Sequence, residues 1–237
     1  MGILTAIPEE LDAILSVARE VRAERNGFLR ARIGVTEVVL AAAGDGAGKA
    51  GRSAAALCET YAPAEILGAG VAGALSPELS AGELVASRQI YDASGPAPAP
   101  DERLLSRALS GAGVRSATLL TVAKPALSPS EKAVLATSID GGAAAVDMES
   151  AVWAREAAAR GIPYVVIRAI SDEAGERLPR YLSTCMDEDG SIRRSKVVAQ
   201  ALAHPGSIPE LLRMRRRVRD GARHLAAFLE RFLSESV

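Results

Sequence analysis

Apolar residues along this chain gather in short runs separated by longer amphipathic stretches. Ile3 to Ile7, Phe28 to Ile33, Val38 to Ala43, Ile66 to Gly70, Leu84 to Tyr91, Thr118 to Val122 and Tyr164 to Ile170 each have the length and the bounding turn residues of a strand. Between several of them the period is helical. EELDAILSVAREV places Leu11, Ile14, Leu15 and Ala18 on one face, and MESAVWAREAAARG runs to Gly161, a natural helix stop. A hairpin near residues 28 to 43 and strands alternating with helices elsewhere predict an α/β fold: a single domain with a mixed central β-sheet flanked by helices. Ligands of such sheets bind beyond the carboxyl ends of strands, which nominates the residues following Ile7, Ala43, Gly70 and Ile170.

Residues 177–237 read as an additional helical segment of the same domain. In IPELLRMRRRVRDGARHLAAFLERFL the apolar residues Leu211, Met214, Val218, Leu225, Phe228, Leu229 and Phe232 recur at helical spacing, and Arg213, Arg215, Arg216, Arg217, Arg219 and Arg223 crowd the remaining positions. Two readings fit: a core-packed helix with a solvated basic face, or a basic amphipathic helix lying on an anionic membrane.

AEILGAGVAGAL carries Gly68-x-Gly70-x-x-Gly73, the spelling of a dinucleotide-binding loop. That fingerprint needs a helix to open at its third glycine, because the helix N-terminus supplies the amides that hold a pyrophosphate. Pro77 and Gly82 leave no room for one, so residues 64 to 87 read as strand, glycine-lined loop, strand. A second copy, Gly46-x-Gly48-x-x-Gly51, does stand between a strand and an alanine-rich helical run. It fails as an ATP loop, since Ala43 and Ala50 occupy the positions of the required glycine and hydroxyl.

Composition narrows the field further. At 237 residues and 49% hydrophobic content the chain suits one large core, and a net charge of −1 with 3% aromatics gives no footing for nucleic acid. Cys58 and Cys185 are far apart, and His204 and His224 lack companion ligands, so no metal is expected. No window reaches transmembrane length, and the expectation is a cytoplasmic protein without a cofactor, with phosphate as a candidate co-substrate.

Three carboxyls stand where chemistry would need them. Asp172, beside Ser171, ends the apolar strand PYVVIRAIS, where burial lets a carboxyl hold a proton near neutrality; a helix cap is the plainer role. Glu149 opens a helix in AVDMESAVW, and Glu9 and Glu10 follow Pro8 after the first strand, both also positions that favour acids for capping alone.

The block AVDMESAVWAREAAARGIPYVVIRAISDEAGE resembles the purine nucleoside phosphorylase and nucleosidase superfamily, in particular the 5'-methylthioadenosine/S-adenosylhomocysteine nucleosidases. The likeness extends to GILTAIPEEL, to GDGAGKA and to GAGVAGALSPELSAGELV, covering most of residues 1 to 176. It implies cleavage of the N-glycosidic bond of a 5'-modified adenosine, with adenine released to water or phosphate. Asp172 would then protonate purine N7 with Ser171 orienting it, Glu10 would position the attacking water, Glu149 would accept the ribose hydroxyls, and Met148 and Val71 would lie against the sugar. Val71 stands where the nucleosidases carry a serine, and the phosphorylases' arginines have no counterparts here. Gly46, Gly48, Lys49 and Arg52 form the candidate phosphate or water loop. The family's purine-stacking phenylalanine is absent from TVAKPALSPSE, which leaves Ala126 and Leu127 for the base. The resemblance also implies a homodimer. Residues 178 to 217 look like the hopanoid-associated phosphorylases, which act on adenosylhopane, a lipid nucleoside met at a membrane surface. The alternative is a nucleoside-binding or membrane-surface protein on the same fold without catalysis.

Overall fold

The computed structural model describes residues 1–42, 44, 46–111, 113–187 and 191–234. In chain order the elements are β1 (Gly2–Thr5), α1 (Pro8–Ser16), β2 (Arg19–Ala23), β3 (Leu29–Ile33), β4 (Thr36–Ala42), α2 (Ala47–Tyr61), β5 (Ile66–Ala74), β6 (Leu84–Asp92), β7 (Gly95–Pro96), α3 (Glu102–Ser110), β8 (Val114–Thr121), α4 (Pro129–Ala136), β9 (Ala144–Asp147), α5 (Ser150–Ala158), β10 (Tyr164–Asp172), α6 (Arg194–Ala203) and α7 (Ile208–Phe232). The strands form one mixed sheet, in the order β10-β6-β8-β9-β5-β1-β4-β3-β2, and β10 also pairs with β5. The strands β5, β10, β6, β8 and β9 therefore close on themselves, with β1, β4, β3 and β2 continuing outward from β5. This is the α/β fold with a flanked mixed sheet that the pattern predicts.

Alternation along the strands divides the core in two. Leu4, Ile66 and Val166 face α2 and α5 and pack with Leu57 and Trp153, while Ile3, Leu67, Val165 and Ile167 face the other way and pack with Ile14 of α1, Leu104 of α3 and Leu225, Phe228, Leu229 and Phe232 of α7. Gly221 lets α7 cross close over β10, because a Cβ there would lie 3.2 Å from that of Ala169. The C-terminal helix is thus core along its second half. Its apolar face is spent on the sheet and is not free to lie on a membrane, which settles the two readings of the tail for that half. Among the described residues no helix is long and apolar enough to cross a membrane.

Two local expectations are corrected, and one strand was missed. The helix drawn through EELDAILSVAREV stops at Ser16, and Arg19–Ala23 is instead an exposed edge strand, whose polar residues have no buried face to alternate against. The glycine-lined loop of residues 68 to 73 is no loop: β5 continues through it to Ala74. β9 was concealed by its composition, Ala-Ala-Val-Asp, which is poor in the β-branched residues that mark strands.

Candidate active site

The ends of β1, β5, β9 and β10 meet at one cavity of about 500 Å³. After β1 the chain turns at Ile7, and Pro8 opens α1 with its fixed φ. Glu10, one turn in, is only 2% exposed. Its Oε2 accepts hydrogen bonds from the backbone amides of Ala6 (2.8 Å) and Ile7 (3.1 Å), and its Oε1 accepts one from Val71 (2.9 Å). One carboxylate therefore caps its own helix and also ties the end of β1 to β5. Burial pushes the Glu10 carboxyl above its ordinary range, against the opposing pull of Arg168 and these amides.

Arg168 lies mid-strand in β10, fully buried. Its Nη2 pairs with Asp147 Oδ2 at 2.6 Å and lies 3.6 Å from Glu149 Oε2, its Nε and Nη2 donate to Ser150 Oγ, and its guanidinium stacks 4.8 Å from the Trp153 ring centroid. Asp147 accepts further from Thr121 Oγ1 (2.8 Å) and from the Ser150 hydroxyl. Nη1 has no hydrogen-bond partner among the described residues. A Cβ on Gly70 would come within 2.2 Å of that nitrogen and 2.8 Å of Glu10 Oε1, and one on Gly68 would strike Trp153. The glycines of the dinucleotide-like spelling are there so that these side chains can approach the strand. Glu149 precedes α5, and its Oε1 accepts from the Gly46 amide at 3.1 Å. Burial raises its carboxyl to about 7, reinforced by Asp147 and opposed by Arg168.

On the opposite side, Ser171 Oγ donates to Asp172 Oδ1 (2.6 Å), and Lys132 Nζ of α4 donates to Asp172 Oδ2 (2.5 Å) and to the Glu173 carbonyl (2.5 Å). Gly73 makes room for this carboxylate, since a Cβ there would meet Oδ2 at 2.9 Å. α5 and α4 begin elsewhere, with α4 capped by Ser128 and Glu131, so Asp172 serves no helix cap.

The cavity collects Glu10, Val71, Ala126, Leu127, Met148, Glu149, Ser171 and Asp172, eight residues that sequence reasoning had named from five separate segments. Gly46 reaches them through its amide. Gly48, Lys49 and Arg52 sit on α2 and are not among the residues that line the cavity. Sequence reasoning missed Arg168, Asp147 and Lys132. It also missed the far wall, which the C-terminal segment lines with Leu178, Leu182, Val197, Leu211, Met214 and Val218. Arg194 and Arg215 stand on that side, Arg194 paired with Glu9 at 2.5 Å. Among the described residues no cluster of His, Cys, Asp and Glu is placed to hold a metal, and Cys58 and Cys185 are buried as free thiols.

A mixed sheet whose strand ends carry buried carboxylates around a cavity of about 500 Å³ defines an α/β enzyme-like scaffold with room for a small polar-and-apolar ligand. Residues 1–204 match the model of the phosphorylase superfamily, and the chain belongs to that family. Among curated relatives it is similar to the 5'-methylthioadenosine/S-adenosylhomocysteine nucleosidases of Anoxybacillus flavithermus, 29% identical over 208 residues, and of Mycobacterium bovis, 29% identical over 221 residues; each alignment covers 74% of this chain and 86% of the relative. Its fold is also that of the Neisseria meningitidis nucleosidase in complex with methylthio-immucillin-A (TM-score 0.76, 19% identity, 98% of this chain and 97% of that one). A futalosine hydrolase mutant of Helicobacter pylori shares it equally (TM-score 0.76, 19% identity, 99% and 98%).

Proposed function

We propose that this protein cleaves the N-glycosidic bond of a 5'-modified adenosine, releasing adenine, with water as nucleophile. The observation that carries the reading is the placement of a clamped acid, Asp172, and two buried carboxylates, Glu10 and Glu149, around a single cavity. A sugar bound between them would sit in a carboxylate field as positive charge develops at its anomeric carbon, and the departing purine would find a proton donor at N7. In this reading Glu149 accepts the ribose hydroxyls, Met148 and Val71 lie against the sugar, and Ala126 and Leu127 face the base. Glu10 lines the cavity beside Val71 and would aim the attacking water and take its proton. Water is favoured over phosphate because Gly48, Lys49 and Arg52 do not line the cavity. No cofactor is required.

The apolar wall supports a finer statement: the 5' substituent is largely hydrocarbon, which fits the likeness of residues 178 to 217 to the enzymes of adenosylhopane. Membrane contact, if the substrate is a lipid, would fall to the exposed arginine face of α7, and a cytoplasmic homodimer accords with the family resemblance. Incubation with methylthioadenosine, a long-chain 5'-alkylthioadenosine and adenosine, each with and without phosphate, tests the reading. Adenine should appear without phosphate and fastest from the alkylthio nucleoside. Tight nucleoside binding without adenine would favour a catalytically idle binder.

A further inference from the structure

α4 is a surface helix whose side chains are exposed or half-buried except for one, and that one is a lysine. Lys132 is fully buried, and its ammonium nitrogen meets two acceptors, Asp172 Oδ2 and the Glu173 carbonyl. Burying an amine beside a carboxyl is costly for stability unless the pair is well matched, and apolar replacements are often as stable. We infer that Lys132 is a positioning residue that shares with Asp172 the proton delivered to the leaving base, an inference that rests on the reaction proposed above.

The contact itself permits this. Ammonium with carboxylate and amine with carboxylic acid satisfy the same 2.5 Å line and differ only in where one proton sits along it. Ser171 holds the other oxygen, Oδ1, so the carboxyl cannot rotate away. With the proton on Lys132 the carboxyl has nothing to donate; once it moves to Oδ2, Asp172 is an acid. As the bond from the anomeric carbon to N9 breaks, its electron pair passes into the purine, and Asp172 gives the proton to N7. Adenine leaves neutral, with carboxylate and neutral amine remaining. The proton lost by the attacking water is taken up by Glu10 and then solvent, and a solvent proton restores Lys132, so the sum is nucleoside plus water giving adenine plus sugar.

The test separates proton sharing from mere support. Lys132→Arg keeps the charge and the ion pair, yet a guanidinium does not give up a proton in proteins; Lys132→Met removes both. Each is assayed on methylthioadenosine and on the para-nitrophenyl riboside with the same 5' group, whose leaving group departs without protonation, with circular dichroism as a control for folding. We expect both variants to lose roughly 10²- to 10³-fold in kcat on the nucleoside and less than about threefold on the nitrophenyl substrate, with KM little changed. If Lys132→Met does not fold, the arginine variant alone decides. Nucleoside turnover by Lys132→Arg within about threefold of the parent would overturn the inference in favour of charge and position only. Equal losses on both substrates would overturn it in favour of a structural role. A parent protein that releases no adenine would overturn the proposed function itself and this inference with it, whereas the first two outcomes leave that function standing.

Discussion

On the strand-end side of the cavity, Glu10, Lys132, Asp147, Glu149, Arg168 and Asp172 are none of them more than 6% exposed, and each is held by named partners. Across from them Leu211, Met214 and Val218 are half-buried, and Val198 is 58% exposed. The first side is fixed before any ligand arrives, since its charges are desolvated and its hydrogen bonds already made, which is what transition-state stabilisation requires. The second offers mainly apolar area, with Arg194 and Arg215 among it, from residues that stay half-buried or exposed. Damage to the polar side should appear in turnover, and damage to the apolar side in substrate preference. α7 spans the comparison: its second half belongs to the core and its first half to the cavity wall.

The largest effect expected follows from that division of α7. Truncation after Arg219 removes Leu225, Phe228, Leu229, Phe232 and Leu233, all buried. At roughly 1.5 to 3 kcal/mol for each large side chain, the loss is comparable to or exceeds a typical margin of stability. The truncated chain should show no cooperative melt by circular dichroism. A folded product would mean that the second half of α7 is an accessory after all.

Next in size is Asp172→Asn, which should lower adenine release by roughly two to four orders of magnitude, the usual worth of a positioned acid. Its stability should fall too, because Lys132 is left as a buried cation without its counter-charge. The double variant Asp172→Asn with Lys132→Met should therefore melt higher than Asp172→Asn alone and remain inactive. Near-normal turnover in either protein would end the assignment of Asp172 as the acid.

Substitution of the apolar wall should be milder and selective. Met214→Ala with Val218→Ala deletes several methylene equivalents at about 0.8 kcal/mol each, enough for about a tenfold rise in KM toward a long-chain 5'-alkylthioadenosine. Adenosine, with nothing to place there, should change by less than about twofold. Equal losses for both nucleosides would show that the wall supports the fold and not the 5' group.

How much of this was legible in the sequence follows the same line. Asp172, Glu149 and Glu10 stand just past apolar runs, where strand-end chemistry is delivered, and their block of neighbours is specific. Arg168 was in plain sight as a charge inside VVIRAIS, an anomaly for a strand buried on both faces, but the partners that make it tolerable come from β9 and α5. Lys132 carries no local signal at all: in PSEKAVLA it reads as one more solvated charge, and only the approach of α4 to the end of β10 buries it. The glycines of β5 misled because turn chemistry and close approach demand the same residue. None of Gly68, Gly70 and Gly73 adopts a positive φ, so the side chains opposite them, and not the backbone, require glycine. The wall was illegible for a different reason: half-buried apolar positions on an amphipathic helix look alike whether a core, a ligand or a membrane covers them.

The smallest predicted effect tests whether the polar side is poised for a ligand at the expense of the empty protein. Burial holds the Glu149 carboxyl at about 7 in the folded chain against an ordinary 4.5. A group raised on folding favours the folded state fully below its unfolded pKa, and that contribution is lost as pH climbs through the folded value. Above about pH 7 the parent should have lost that contribution. Glu149→Gln cannot ionise and retains an oxygen for the Gly46 amide, so it is spared this loss. Its melting temperature should match the parent's near about pH 4.5 and exceed it near about pH 8. Affinity for the ribose should move the other way, because only the ionised carboxylate accepts two hydroxyl protons: parent kcat/KM should rise with pH up to about 7, and the glutamine variant should lose that dependence. A melting-temperature difference that stays constant across this range would show that Glu149 is not held protonated by its burial, and the contrast between the two sides of the cavity would lose its energetic basis.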